Sequence, residues 1–141
     1  MKKRLLILFI ILIVGISAVC VIKNKKITRP DTDYIATIYH SEMLGMDAGW
    51  QYIYYFYPDR KNEYIYIKSE SEVTEAGASD ERNIEKGVIK TKNDFVKIEK
   101  NIENDKNEES QQFFHYTYIN GNEIKNLNSI DELADCLFEN D

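Results

Sequence analysis

An uncharged run near the N-terminus is the sequence feature that most constrains this chain. Leu5 to Ile22 contains 18 residues, and only Gly15 and Ser17 interrupt its apolar character. Basic residues flank it at positions 2–4, 23, 25 and 26. As a helix the run would extend about 27 Å, which is close to the hydrocarbon thickness of a bilayer. We therefore predict a single N-terminal transmembrane helix, with the lipid bilayer as its partner through Leu5 to Ile22.

Three fates of this segment remain open. A retained signal anchor is favoured because the run exceeds the roughly 7 to 15 apolar residues of a cleaved signal peptide. Ala18 to Cys20 also fits a cleavage site, and Ser17 to Cys20 resembles the bacterial lipobox, in which the cysteine is lipidated, although Val19 departs from that pattern. The short basic start favours export. We predict a single-pass protein of the cytoplasmic membrane with an extracytoplasmic C-terminal domain.

Acidic residues dominate after the hydrophobic run. From residue 27 onward there are 12 Lys and Arg against 24 Asp and Glu, a formal net charge of −12. Such a surface repels phosphate backbones, which argues against nucleic acid as a partner. Ile, Lys and Asn are abundant whereas Arg is scarce, a bias that suggests a bacterium with an AT-rich genome.

The chain has room for one domain of roughly 110 residues after the anchor. We divide it into an anchor with basic flanks at 1–26, a spacer at 27–33 and an acidic α+β domain at 34–141. Aromatic and β-branched residues predict strands at 34–40, 50–57, 63–69, 84–92, 113–119 and 123–127.

Two helices and two hairpins complete the predicted domain. Helical spacing of apolar residues predicts a helix at 94–105, and a capping box at Ser129 and Glu132 predicts a terminal helix. Asn120-Gly121 predicts a tight hairpin turn. The predicted fold class is α+β, with an N-terminal single transmembrane helix followed by a small, mostly antiparallel sheet packed by two helices.

Tyrosines concentrate on two neighbouring predicted strands. Alternation places Tyr52 and Tyr54 on one face of the first strand, and Tyr64 and Tyr66 on one face of the second. Because Tyr is enriched in protein interfaces, these four are candidate binding residues. Aromatic packing between strands explains the same pattern without a ligand.

Residues with catalytic potential are few. The two histidines, His40 and His115, lie in separate predicted strands and match no metal-binding spacing. His40, Ser41 and Glu42 are the residue types of a hydrolase triad, but neighbours on a strand point to opposite faces. The scattered glycines form no phosphate-binding loop. We therefore predict no catalytic residue, no metal site and no cofactor.

The sequence favours a membrane-tethered interaction domain of a bacterium, without catalytic activity, that binds a protein or an envelope component. One alternative is a small envelope hydrolase that uses His40 or His115. A pocket that places either histidine beside Ser, Asp or Glu would favour that alternative. Another is a membrane-bound immunity or inhibitor protein, whose acidic surface would capture a basic toxin.

Overall fold

The computed structural model of this protein describes residues 26–45, 48–104 and 110–138. Seven strands and two helices form within these residues. The strands are β1 (Ala36–Met43), β2 (Gly49–Arg60), β3 (Glu63–Thr74), β4 (Gly77–Ala78), β5 (Arg82–Ile89), β6 (Gln111–Asn120) and β7 (Glu123–Leu127). The helices are α1 (Lys92–Asn104) and α2 (Ile130–Phe138).

All seven strands belong to one sheet, and every strand pair in it is antiparallel. The order is β4-β3-β2-β1-β6-β7, and β5 pairs with β3 on the edge that β4 also uses. The chain first runs through β1, β2 and β3 as a meander. It then returns through α1 to the other side of β1, where β6 and β7 extend the sheet.

Tight turns fix the register of the two long hairpins. Asn62, in the turn between β2 and β3, has φ 56°, a left-handed conformation that Asn tolerates better than most residues. The predicted hairpin at residues 120 and 121 is confirmed. Its two loop residues are Gly121 and Asn122, and Gly121 has φ 60°. Glycine adopts that conformation without steric cost.

Both helices lie on one face of the sheet, here called the helix face, and bury the main core. Phe56, Phe95 and Leu133 are among its most deeply buried side chains. Burying such a side chain stabilises the fold by about 1.5 to 3 kcal/mol. The core consists of Ala36, Ile38, Tyr54, Phe56, Ile89, Phe95, Ile98, Ile102, Ile130, Leu133, Ala134 and Leu137.

Side-chain hydrogen bonds to the backbone stabilise the start of both helices. Ser129 Oγ accepts the backbone N–H of Glu132 at 3.2 Å, and the Glu132 carboxylate accepts the backbone N–H of Asn128 at 2.8 Å. The predicted capping box is therefore confirmed, with the carboxylate reaching one residue beyond Ser129. At α1, the Asp94 carboxylate accepts the backbone N–H groups of Lys90 and Thr91, each at 3.0 Å.

A second, smaller core lies on the opposite face of the sheet, where the chain before β1 packs. The Asn83 side chain donates to the carbonyl of Ile27 at 2.9 Å. Arg29 pairs with Glu81, and its guanidinium carbon lies 4.2 Å from the centre of the Tyr55 ring. The predicted spacer is thus fastened to β3 and β5. This core contains Tyr55, Tyr57 and Ile67, with Ile27, Ile53 and Ile65 packed against it.

The predicted fold class is wrong. The described residues form an extended, mostly antiparallel sheet with two short helices, and no helix among them is long and apolar enough to cross a membrane. The sheet is larger than predicted because pairing continues where the apolar pattern stops. In β3, Glu70 and Glu72 still pair with Tyr52 and Trp50. The predicted transmembrane helix at Leu5 to Ile22 lies outside the described residues.

Candidate functional site

A cavity of about 310 Å³ lies on the helix face, beside Ile102 near the end of α1. We call it the open pocket. Its floor comes from β1, β2 and β3, and α1 contributes one wall through Ile102. The lining residues are His40, Glu42, Tyr52, Tyr54, Lys68 and Ile102.

Strand register assembles the open pocket from residues that are distant in sequence. His40 stands opposite Tyr52, and Tyr54 stands opposite Lys68. Residues that pair directly across antiparallel strands share a face, as do residues two positions apart on one strand. Alternation on β1 therefore places Glu42 on the same face as His40, beside the aromatic side chains of β2.

His40 is the most enclosed polar group of the open pocket. It is 3% exposed, and its ring stacks between Phe114, at 4.6 Å between centroids, and Tyr52, at 5.7 Å. Its Nε2 atom lies 3.7 Å from Glu42 Oε1, which is too long for a hydrogen bond. The two side chains are therefore neighbours without a direct bond.

Burial lowers the pKa of His40 below its usual value, because the enclosed site disfavours the charged imidazolium. The nearby ammonium of Lys68 lowers that pKa further, whereas the neighbouring side chain of Gln112 opposes the shift. Nε2 of His40 and Nε2 of Gln112 each lack a hydrogen-bond partner among the described residues. His40 is neutral at pH 7 in this environment.

Lys68 supplies the positive charge of the open pocket. Its Nζ atom lies 5.0 Å from the centre of the Tyr52 ring and 5.3 Å from that of Tyr54, so both rings stabilise the ammonium through cation–π contacts. Within the described part of the chain, Lys68 forms no ion pair. The negative charge comes from Glu42, whose side chain is 13% exposed.

Further polar surface continues from the open pocket along β3. A shallow depression of about 330 Å³ is lined by Trp50, which is 36% exposed, and by acidic side chains. Arg82 pairs there with Glu70. On the other side of Ile102, burial and the neighbouring Glu103 raise the pKa of Glu99. Carboxylates therefore surround the open pocket on both sides.

The four predicted binding tyrosines share the helix face, and the Tyr54 and Tyr66 rings lie 6.2 Å apart, but only two of the four line the open pocket. Tyr52 and Tyr54 line the open pocket, although Tyr54 is only 2% exposed. Tyr64 donates its hydroxyl to the carbonyl of Leu137 at 2.6 Å, and the Tyr66 hydroxyl donates to Glu85. The second pair packs against the main core beneath the helices.

The two histidines also occupy different places. His40 lies in the open pocket, whereas His115 is exposed on the opposite face, where its Nε2 lies 3.2 Å from Asn126 Oδ1. Ser41 is buried on that opposite face too, so residues 40–42 do not assemble a triad. The residue that sequence reasoning missed is Lys68. Only the pairing of β2 with β3 brings it next to Tyr54.

Comparisons with family models, with curated proteins and with solved structures found no match for this chain. In the described ranges, no group of three or more His, Cys, Asp or Glu side chains is placed to hold a metal ion. What the open pocket binds has to be inferred from its own side chains.

Proposed function

We propose that this protein is a binding domain of the bacterial cell envelope, tethered to the outer side of the cytoplasmic membrane and without catalytic activity. It holds its protein or envelope partner at the open pocket. The observation that carries this proposal is the open pocket itself, where Lys68, Glu42 and His40 line a cavity of about 310 Å³. Pockets with a few converging polar groups on an aromatic floor are the usual form of a binding site.

The tether in this proposal is the uncharged run from Leu5 to Ile22, with its basic flanks. Ile27 follows that run by five positions and is already held by Asn83 on the sheet. Such a short connection would keep the domain close to the bilayer surface. A partner within or near the membrane would then meet the domain at a high local concentration.

Binding is favoured over catalysis by the arrangement of the reactive groups. His40 has Phe114 and Tyr52 against its ring, and the serine beside it in sequence points to the opposite face. A nucleophile within hydrogen-bond reach of a base is the usual requirement for acyl transfer. The open pocket offers charge and hydrogen bonding instead.

Two adjacent phenylalanines allow a matched test of the site. Phe114 stacks on His40, which lines the open pocket, and is 42% exposed, whereas Phe113 is 55% exposed on the opposite face. A photoreactive phenylalanine analogue would replace each in turn in the full-length protein, in cells. We expect a discrete cross-linked partner from position 114 and none from position 113. Cross-linking from position 113 alone would place the interface elsewhere and reject the proposal.

One observation favours the hydrolase alternative as a second candidate function. His40 Nε2 and Glu42 Oε1 lie 3.7 Å apart within a pocket, so a carboxylate stands beside a histidine, as the hydrolase alternative predicts. If this candidate is correct, the full-length protein hydrolyses esters or amides of envelope components, and His40→Gln abolishes that turnover. Turnover that survives His40→Gln would exclude His40 as the base.

The inhibitor alternative is a special case of the binding proposal. The charge of −12 after residue 26 and the carboxylates beside the open pocket suit a basic partner. If the cross-linked partner is a basic toxin, co-expression of this protein would protect cells from it. Protection that Lys68→Met leaves unchanged would place toxin capture outside the open pocket.

A further inference from the structure

The open pocket combines one positive and one negative side chain, and its third ionisable group is uncharged. Lys68 is an ammonium, Glu42 is a carboxylate, and His40 is neutral at pH 7. The pocket is therefore electrically balanced inside a domain whose net charge is −12. A ligand with only a negative charge would be repelled by that field, and a ligand with only a positive charge would have to approach the ammonium of Lys68.

Each of the two charged side chains has capacity for a ligand group. The ammonium of Lys68 rests over two tyrosine rings and has no carboxylate partner among the described residues. Glu42 has other contacts in the protein, but its two oxygens accept several hydrogen bonds, and the adjacent imidazole is uncharged. A carboxylate can therefore bind at Lys68 while an ammonium binds at Glu42.

The spacing of the two charges limits the size of the ligand. Glu42 and Lys68 are two strands apart and offset by four residues in register. Their Cα atoms are therefore about 10 Å apart across the sheet and about 13 Å apart along it. A ligand that contacts both charged side chains therefore needs opposite charges at its two ends. The cavity of about 310 Å³ has room for such a molecule.

We infer that the open pocket binds the zwitterion of an amino acid or a dipeptide, with the ligand ammonium at Glu42 and the ligand carboxylate at Lys68. This inference rests on the proposed function, since it names the chemical group that the binding domain recognises. Nε2 of the neutral His40 ring is then a hydrogen-bonding group near the two charged contacts.

Three matched ligands test this inference on the full-length protein in detergent. L-alanyl-L-alanine carries both charges, its N-acetyl derivative lacks the ammonium, and its C-terminal amide lacks the carboxylate. We expect measurable binding of the dipeptide by calorimetry. Each derivative should bind roughly tenfold more weakly, the loss expected when one charged hydrogen-bonded contact disappears. Equal binding of all three ligands, or binding of none, would overturn the inference.

Substitutions assign the two contacts. Lys68→Met should weaken dipeptide binding while leaving the affinity for the C-terminal amide unchanged, because that ligand has no carboxylate to lose. Glu42→Gln should weaken dipeptide binding while leaving the affinity for the N-acetyl derivative unchanged, because that ligand has no ammonium to lose. Lys86→Met is the control, since Lys86 is exposed and pairs with Ile67 on the opposite face. If the Lys68→Met and Lys86→Met variants have the same affinity for the dipeptide, Lys68 is not the carboxylate contact and the inference fails.

The outcomes separate this inference from the proposed function. A partner that cross-links at position 114, together with no dipeptide binding, would reject the zwitterion and leave the binding domain standing. Dipeptide binding without any cross-linked partner would support the zwitterion site and reject a macromolecular partner at this surface.

Discussion

Removing the Phe95 side chain should destabilise the domain more than almost any other single truncation. Phe95 is 1% exposed on α1, and its ring lies 5.2 Å from that of Phe56 on the sheet and 6.2 Å from that of Phe138 on α2. It therefore joins both helices to the sheet. Phe95→Ala should lower the free energy of unfolding by about 3 to 5 kcal/mol, because the transfer energy is lost and a cavity remains.

Thermal unfolding of the full-length protein in detergent, followed by circular dichroism, would measure this loss. For a domain of this size the midpoint should fall by roughly 15 °C. Val96→Ala is the matched control, since Val96 is 40% exposed on the same helix and should change the stability by less than about 0.5 kcal/mol. Equal, small effects of the two substitutions would refute the packing of α1 on the sheet through Phe95.

Three further predictions concern a glycine and two titrating groups. Gly87→Ala should cost about 1 to 3 kcal/mol of stability, measured by urea unfolding, because the new methyl group would overlap the Tyr66 ring. Burial, then Glu81, raises the pKa of Tyr55 to about 12, so the contribution of Tyr55 to stability should be constant below pH 10 and be lost as the pH rises from 10 to 12. Tyr55→Phe should flatten that decline, and an unchanged decline would contradict the assignment. A hydrogen bond from Lys97 and the backbone N–H of Lys90 lower the pKa of Asp94 to about 2, so its contribution should be present above pH 4 and disappear as the pH falls toward 2. In acid titrations monitored by circular dichroism, Asp94→Asn should remove this part of the pH dependence, and a titration like that of the wild type would show that Asp94 does not cause it.

The sequence predicts the local elements of the described region well. Both predicted helices and all six predicted strands are confirmed, because hydrophobic periodicity, capping residues and turn residues are local signals. Strand ends are less accurate. β3 runs to Thr74, well past its predicted end at Ser69, because polar residues pair with β2 once the apolar part has set the register.

The size of the sheet and its strand order depend on contacts between distant residues. The pairing of β1 with β6 joins segments on either side of α1, and nothing in either segment identifies the other. The same limit applies to the faces of the sheet. Alternation places Tyr64 and Tyr66 on one face, but only the packing of α2 shows that this face is covered.

The candidate site was partly visible in the sequence. Alternation alone puts His40 and Glu42 on one face, and it puts Tyr52 and Tyr54 together on the next strand. Two facts could not be read there. Lys68 reaches the tyrosines only through strand register, and the cavity beside Ile102 depends on how α1 packs on the sheet.

The two histidines of the chain provide the most direct test of the claim that the open pocket is the binding site. They lie on opposite faces of the sheet, His40 in the pocket and His115 exposed, so their imidazole signals in nuclear magnetic resonance report the two faces separately. Titration of the full-length protein with its purified cross-linked partner should shift the His40 signals and leave those of His115 unchanged. A shift of His115 with His40 unaffected would contradict the account.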